Sequence, residues 1–168
     1  MQRQPAGTIP YTMLPSVDLP AETGDFVPDD LPDFPHRAMY DLWRARAKGD
    51  ALPARRDFKP EDMPRLLPHI TIFEVVRDTM RFRIRLVGTA IVEAMCIDTT
   101  GCWLDELDNT EAIRRRAEAM TYTGTPYFLR VMPVTWSHRT YKRYSTLGLP
   151  LADDGRTVDR LLYTMTFT

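Results

Sequence analysis

The sequence predicts an α+β fold built on a five-stranded antiparallel sheet, and three observations carry that prediction. Two β-rich runs, 69–77 (HITIFEVVR) and 80–87 (MRFRIRLV), are separated only by Asp78 and Thr79, the length of a tight hairpin. Three further runs of strand character occupy 127–136, 141–151 and 157–167, with turn residues at 137–140 and at Asp153-Asp154-Gly155. Helical patterns fill the interval between the two groups, so the chain must cross the sheet to bring the hairpin beside the last strands. Helices are thereby gathered on one face, above a concave inner surface that is the natural binding site.

Taken in order, residues 1–33 carry Pro5, Pro10, Pro15, Pro20, Pro28 and Pro32 among Asp18, Glu22, Asp25, Asp29, Asp30 and Asp33. Prolines at that spacing interrupt both helix and sheet hydrogen bonding, so this segment reads as an extended acidic tail ahead of a domain spanning 34–168. From 34 to 48, Met39, Leu42, Trp43 and Ala47 recur at helical spacing with Arg37, Asp41, Arg44 and Lys48 on other faces, predicting an amphipathic leading helix that flanks the sheet. Gly49 ends it. A connector punctuated by Pro53, Pro60, Pro64 and Pro68 follows, anchored by Phe58, Met63, Leu66 and Leu67, with one short helix expected near 61–67.

The second strand alternates, so Phe82, Ile84 and Leu86 face the core if Arg81, Arg83 and Arg85 face outward. Gly88 permits a sharp turn into 89–96, where Ala90, Ile91, Ala94 and Met95 form a short apolar stripe. Asp108 and Glu111 have capping-box spacing ahead of Ile113, Ala117 and Met120, and Gly124 with Pro126 closes a helix of about three turns.

Charge excludes little but points away from nucleic acid: 22 Lys plus Arg balance 23 Asp plus Glu, leaving no overall field to attract a polyanion. No run approaches the roughly 18 uninterrupted apolar residues of a membrane helix. No apolar segment follows Met1-Gln2-Arg3-Gln4-Pro5, so a signal peptide is unsupported and a cytoplasmic location is expected. Cys96 and Cys102 are six apart, which fits neither a paired-cysteine zinc site nor a disulfide framework. His36, His69 and His138 lack metal-ligand spacing, so no metal site is expected, and no phosphate loop, nucleophile elbow or His-Glu-x-x-His helix occurs.

Several segments together resemble a divergent bacterial family of PAS domains. They are Leu42-Trp43, Leu52-Pro53-Ala54-Arg55-Arg56-Asp57-Phe58, Leu66-Leu67-Pro68-His69-Ile70, Phe82-Arg83-Ile84-Arg85-Leu86-Val87-Gly88-Thr89, Asp98-Thr99-Thr100-Gly101, and Leu149-Pro150-Leu151 before Asp154-Gly155. The resemblance covers about 34–160 and implies a five-stranded antiparallel sheet flanked by helices, used in signalling as a small-molecule sensor or a docking surface. It supplies no catalytic residues and does not name a ligand. Some PAS domains hold flavin or haem. The photoactive flavin site carries an Asn-Cys-Arg-Phe motif, which neither Ala-Met-Cys96-Ile nor Gly-Cys102-Trp matches, and the helix 111–123 has no histidine for haem. Both cofactors are therefore disfavoured.

The expected ligand-facing residues are Phe82, Ile84, Leu86, Met95, Met120, Leu147 and Tyr163, with Arg143 and Ser145 placed at the mouth by their alternation with Leu147 and Leu149. They line a pocket if the core is incompletely packed and are plain core otherwise. Arg81, Arg83 and Arg85 form a stripe for an acidic partner or anion, a solvated edge, or an internal dock covered by the chain's own acidic tail or leading helix. The sequence ends just after the last predicted strand, so the expected role is a stand-alone sensory or regulatory module. It would bind a small ligand or dock a signalling partner, with a homodimer formed through the leading helix as one route of output. The rival is a small α+β enzyme with acid–base chemistry in a cone-shaped cavity, for which Glu74 and His69 are the candidates. Their odd separation puts them on opposite strand faces.

Overall fold

The computed structural model describes residues 26–168; the predicted tail up to residue 25 lies outside the described residues. Five strands form the sheet: β1 (Ile70–Val76), β2 (Arg81–Val87), β3 (Tyr127–Pro133), β4 (Arg143–Leu151) and β5 (Arg160–Phe167). All pairs are antiparallel, in the order β2-β1-β5-β4-β3. The crossing inferred from the chain order is what places β5 between β1 and β4, with α2 (Thr89–Met95) and α3 (Glu111–Thr123) bridging the two halves. Both helices lie on one face.

The leading segment lies on the other. A turn at Asp33–Arg37 and helix α1 (Ala38–Arg46) carry His36, Met39, Leu42 and Trp43 onto the sheet face formed by Ile70, Ile72, Leu147, Leu149, Leu162 and Thr164. Trp43 donates its indole N–H to the Pro150 carbonyl at 2.9 Å. The helix is shorter than its 34–48 pattern suggests, because Asp33–Arg37 adopts a wider turn before α1 begins. Its apolar stripe, read as a surface for packing or for contact with a second copy, packs on the chain's own sheet. Residues ahead of position 34 also contribute to this packing. Leu31 is buried in that same core, and Phe26 packs edge-on against Tyr40 at 5.3 Å between ring centroids.

His36 is fully buried between strands and helix. Its Nδ1 lies 2.7 Å from Thr164 Oγ1 and its Nε2 3.0 Å from Thr166 Oγ1. A neutral imidazole satisfies this arrangement, one nitrogen accepting from a hydroxyl and the other donating. Burial, and secondarily the charge of His69, lower its pKa from 6.5 to about 4.

Two local expectations change in the fold. The hairpin turn spans Arg77 to Met80 rather than two residues, with Met80 at φ +48° and its N–H donating to the Arg77 carbonyl. At α3 the N-cap is Thr110, not Asp108, and its hydroxyl turns back to the Leu104 and Leu107 carbonyls at 2.7 and 3.0 Å instead of capping the helix. Thr110 thereby fixes the short turn at Leu104–Glu106 against α3.

Candidate functional site

Strand alternation gives the inner face of the sheet its composition. Thr71 and Phe73 of β1, Ile84 and Val87 of β2, Tyr127 of β3, Tyr144 and Thr146 of β4, and Tyr163 and Met165 of β5 point toward the helices. Ile91 of α2, Leu104 and Leu107 of the intervening turn, and Ile113 and Arg116 of α3 close over them. They line a partly open cavity of about 70 Å³, several times the ~10–15 Å³ that one water requires on the same measure.

Gly148 shapes the floor. It is paired with Tyr127 on one side and Tyr163 on the other, and a Cβ there would sit 3.0 Å from Cε1 of each ring. Absence of a side chain lets two phenols share adjacent positions on three strands, their rings edge-to-face at 6.2 Å. Phe73 packs on Tyr163 at 5.0 Å, and Trp136 meets Tyr144 edge-on at 4.8 Å.

Into this aromatic setting α3 projects Arg116, only 6% exposed. One of its Nη atoms donates to the Tyr144 hydroxyl at 3.3 Å, whereas Nε has no partner. Two other buried polar atoms of the same lining, Thr146 Oγ1 and the Tyr163 hydroxyl, also have no partner among the described residues. Buried polar groups are normally satisfied, so three orphans around one cavity call for an explanation. The phenols stay protonated: burial raises the pKa of Tyr127 and Tyr144 and lifts Tyr163 well above its ordinary value, against the opposing pull of Arg116. The site therefore presents one fixed cation and neutral hydroxyl donors within apolar walls.

The sequence model of a family described as PAS domain matches residues 33–166. The chain belongs to the PAS domain family. Among solved structures, it is similar to the PAS domain of the histidine kinase ThkA, at 16% identity over 58% of this chain and 97% of that one, with a TM-score of 0.43. A selenomethionine form of that domain matches at 17% identity, covering 58% and 98%, again with a TM-score of 0.43. No curated protein matches.

Of the residues expected to face a ligand, Ile84 and Tyr163 line the PAS domain's cavity. Phe82 and Met120 pack in the apolar cluster beside it, and Met95 packs with Tyr144 and Met165. Leu86 and Leu147 belong to the opposite face, under α1. For Leu86 the cause is a bulge: Ile72 pairs with Leu86 but Phe73 pairs with Ile84, so Arg85 is an extra residue and the parity of β2 flips after it. On β4 both faces are buried, so apolarity does not reveal which one is inner. Leu147, Arg143 and Ser145 share the face away from the cavity, where Ser145 Oγ accepts from the Val131 N–H at 3.0 Å and Arg143 is exposed.

The arginine stripe of the PAS domain is internally engaged at two of its three positions by acids of the chain. Arg81 makes a two-pronged pair with Asp105 at 2.8 and 2.9 Å, which holds the Asp105 carboxyl below its usual pKa. Its guanidinium lies 4.2 Å from the Trp103 ring centroid, with that of Arg83 5.6 Å away. Arg85 approaches Glu74 at 3.6 Å. Among the described residues the acids are Asp105, Glu106 and Glu74; the acidic residues up to 25, named as one internal dock, lie outside them. Glu74 and His69, the acid–base candidates, do not line the cavity; His69 packs edge-on against Phe34 at 5.6 Å. Cys96 and Cys102 also lie outside it, and no cluster of metal-ligating side chains occurs among the described residues. Among them no helix is long and apolar enough to cross a membrane.

Arg116 was not singled out from the sequence, although a signal was present. Ile113, Ala117 and Met120 define the inward stripe of the helix, and Arg116 falls within it, three residues after Ile113 and four before Met120. A permanently charged residue inside an apolar stripe is the mark of a polar site.

Proposed function

We propose that this PAS domain is a sensory or regulatory module that binds a small molecule in the cavity between its sheet and α3. The observation that supports this best is the presence of unpartnered polar atoms of Arg116, Thr146 and Tyr163 around a mostly apolar cavity. Few precisely placed polar groups in apolar walls are what a small-molecule site requires. Relay of the bound state to a partner protein completes the reading. Acid–base catalysis is the weaker alternative, because its candidates Glu74 and His69 are not in the cavity.

Native mass spectrometry of the full chain, followed by a thermal-shift screen of small metabolites, tests the proposal. A compound that binds the folded state raises the melting temperature. The same compound should have no effect on Thr146→Phe, whose ring fills the cavity. A screen with no stabilising compound, together with a Thr146→Phe variant more stable than the wild type, would refute it, since the cavity would then be only a packing defect.

A further inference from the structure

Arg116 allows the ligand's chemistry to be named, on the reading that the cavity is a ligand site. A guanidinium is charged at every relevant pH, and a buried cation ordinarily has an anion beside it. Glu118, close on the same helix, is held by Arg114 at 2.6 Å, and no carboxylate forms an ion pair with Arg116 among the described residues. The counter-charge is therefore to be supplied from outside this part of the chain.

We propose that the cavity receives a monocarboxylate with an apolar body, its carboxylate held by Arg116 and by the hydroxyls of Tyr144, Thr146 and Tyr163. The stoichiometry of charge selects one negative charge, because Arg116 is the single cation of the lining among the described residues. A phosphate dianion would leave a second charge buried without a partner. The planar fork of a guanidinium matches the two oxygens of a carboxylate. Tyr144 accepts from Arg116 and still has its own proton to donate, the Thr146 hydroxyl is uncommitted, and the Tyr163 hydroxyl lies beside that of Tyr127. Phe73, Ile84, Ile91, Leu104, Trp136 and Met165 surround the position left for the body of the ligand with apolar surface.

The test uses the full chain at pH 7, uniformly labelled with ¹⁵N, with the Arg116 Nε–H resonance assigned by its loss in Arg116→Gln. Acetate, phenylacetate, acetamide, phenylacetamide and inorganic phosphate are titrated at constant ionic strength. Acetate and phenylacetate are expected to shift the resonance saturably, phenylacetate at least tenfold more tightly than either acetate or phenylacetamide. Isothermal titration should show at least a tenfold loss of phenylacetate affinity in Arg116→Gln and an intermediate loss in Arg116→Lys, each variant keeping the wild-type circular dichroism. If either variant is misfolded, the wild-type titrations decide alone. Saturable binding of phenylacetamide without either acid overturns the carboxylate assignment and leaves the cavity a ligand site. Phosphate binding more tightly than both acids also overturns it. No saturable shift with any probe overturns the carboxylate and counts against the ligand site itself.

Discussion

Acidification should loosen the attachment of the leading segment, and the size of the effect follows from His36. The ring is fully buried, bonded through both nitrogens to Thr164 and Thr166, and set edge-on to Phe128 at 5.2 Å. Its pKa is about 4 in the folded chain against an ordinary 6.5. Because the folded value is the lower one, the unfolded chain binds a proton first as the pH falls, and stability is lost on the way down. The contribution is fully present above about pH 7.5, declines between 6.5 and 4, and is flat below. Applying linkage to these two values gives a loss of about 2 kcal/mol at pH 5 and about 3 kcal/mol at pH 4. In urea, where slopes for small proteins are ~1–3 kcal/mol per molar, the midpoint should drop by roughly 1 M between pH 7.5 and pH 5. His36→Gln supplies the control: its amide can bond both threonines but does not titrate. Subtracting its stability curve from that of the wild type removes the carboxylates, which titrate in both proteins. Difference curves that stay level to within about 0.5 kcal/mol from pH 7.5 to pH 5, or that rise on acidification, would refute the reasoning and mean that an imidazolium is accommodated on this face.

Three substitutions follow from the cavity and from α2. Gly88→Ala places a Cβ 2.3 Å from the Pro68 carbonyl oxygen and 2.6 Å from that of Leu67, while the Gly88 N–H is held to the Ile70 carbonyl at 2.8 Å. Backbone on both sides leaves no easy retreat, so a loss above about 3 kcal/mol is expected in urea denaturation; under 1 kcal/mol would show that the 67–68 turn yields. Gly148→Ala should push the Tyr127 and Tyr163 rings apart by a few tenths of an ångström, costing about 1–2 kcal/mol and changing near-ultraviolet circular dichroism; an unchanged spectrum with full stability would contradict the packing described. Arg116→Met should stabilise the ligand-free protein by about 1–3 kcal/mol, because it removes a buried cation with no carboxylate partner. At ~2–4 °C per kcal/mol for a chain of this size, calorimetry should detect a higher melting temperature, and a fall of several degrees would show that the guanidinium is compensated within the protein.

The strands and helices were legible because each repeats its pattern over several residues. The 82-84 alternation, the Ile113-Ala117-Met120 stripe and the glycine at 124 report local geometry that survives in the fold, whereas Gly88 has φ −65° and is required by the close approach of the Pro68 carbonyl and not by the turn. The two-sided burial of the sheet was not legible in the same way. Once α1 covers the second face, Leu147 and Leu149 are as apolar as any cavity residue, and period-two alternation says that two faces exist without saying which one is hollow. Leu86 needed knowledge of a one-residue bulge, a feature of pairing between strands and not of either strand alone. The convergence of Arg116 with Tyr144, Thr146 and Tyr163 depends on four elements meeting in space, so only the misplaced charge within the helical stripe could announce it.

The two outer strands have a consequence for assembly. The free edge of β2 is already occupied in part, since Ile84 exchanges backbone hydrogen bonds with Gly101 and Cys102 at 2.7 and 2.9 Å, and Trp103 lies under two arginines beyond it. At the opposite margin, β3 is broken between Leu129 and Met132, with Val131 in the left-handed region at φ +53° and its N–H turned to Ser145. Among the described residues the β2 margin is engaged at Ile84 and the β3 strand is interrupted, and interruptions of this kind make a sheet edge a poorer template for another chain. Strand addition, in recognition or in aggregation, is the mode of association that such edges disfavour.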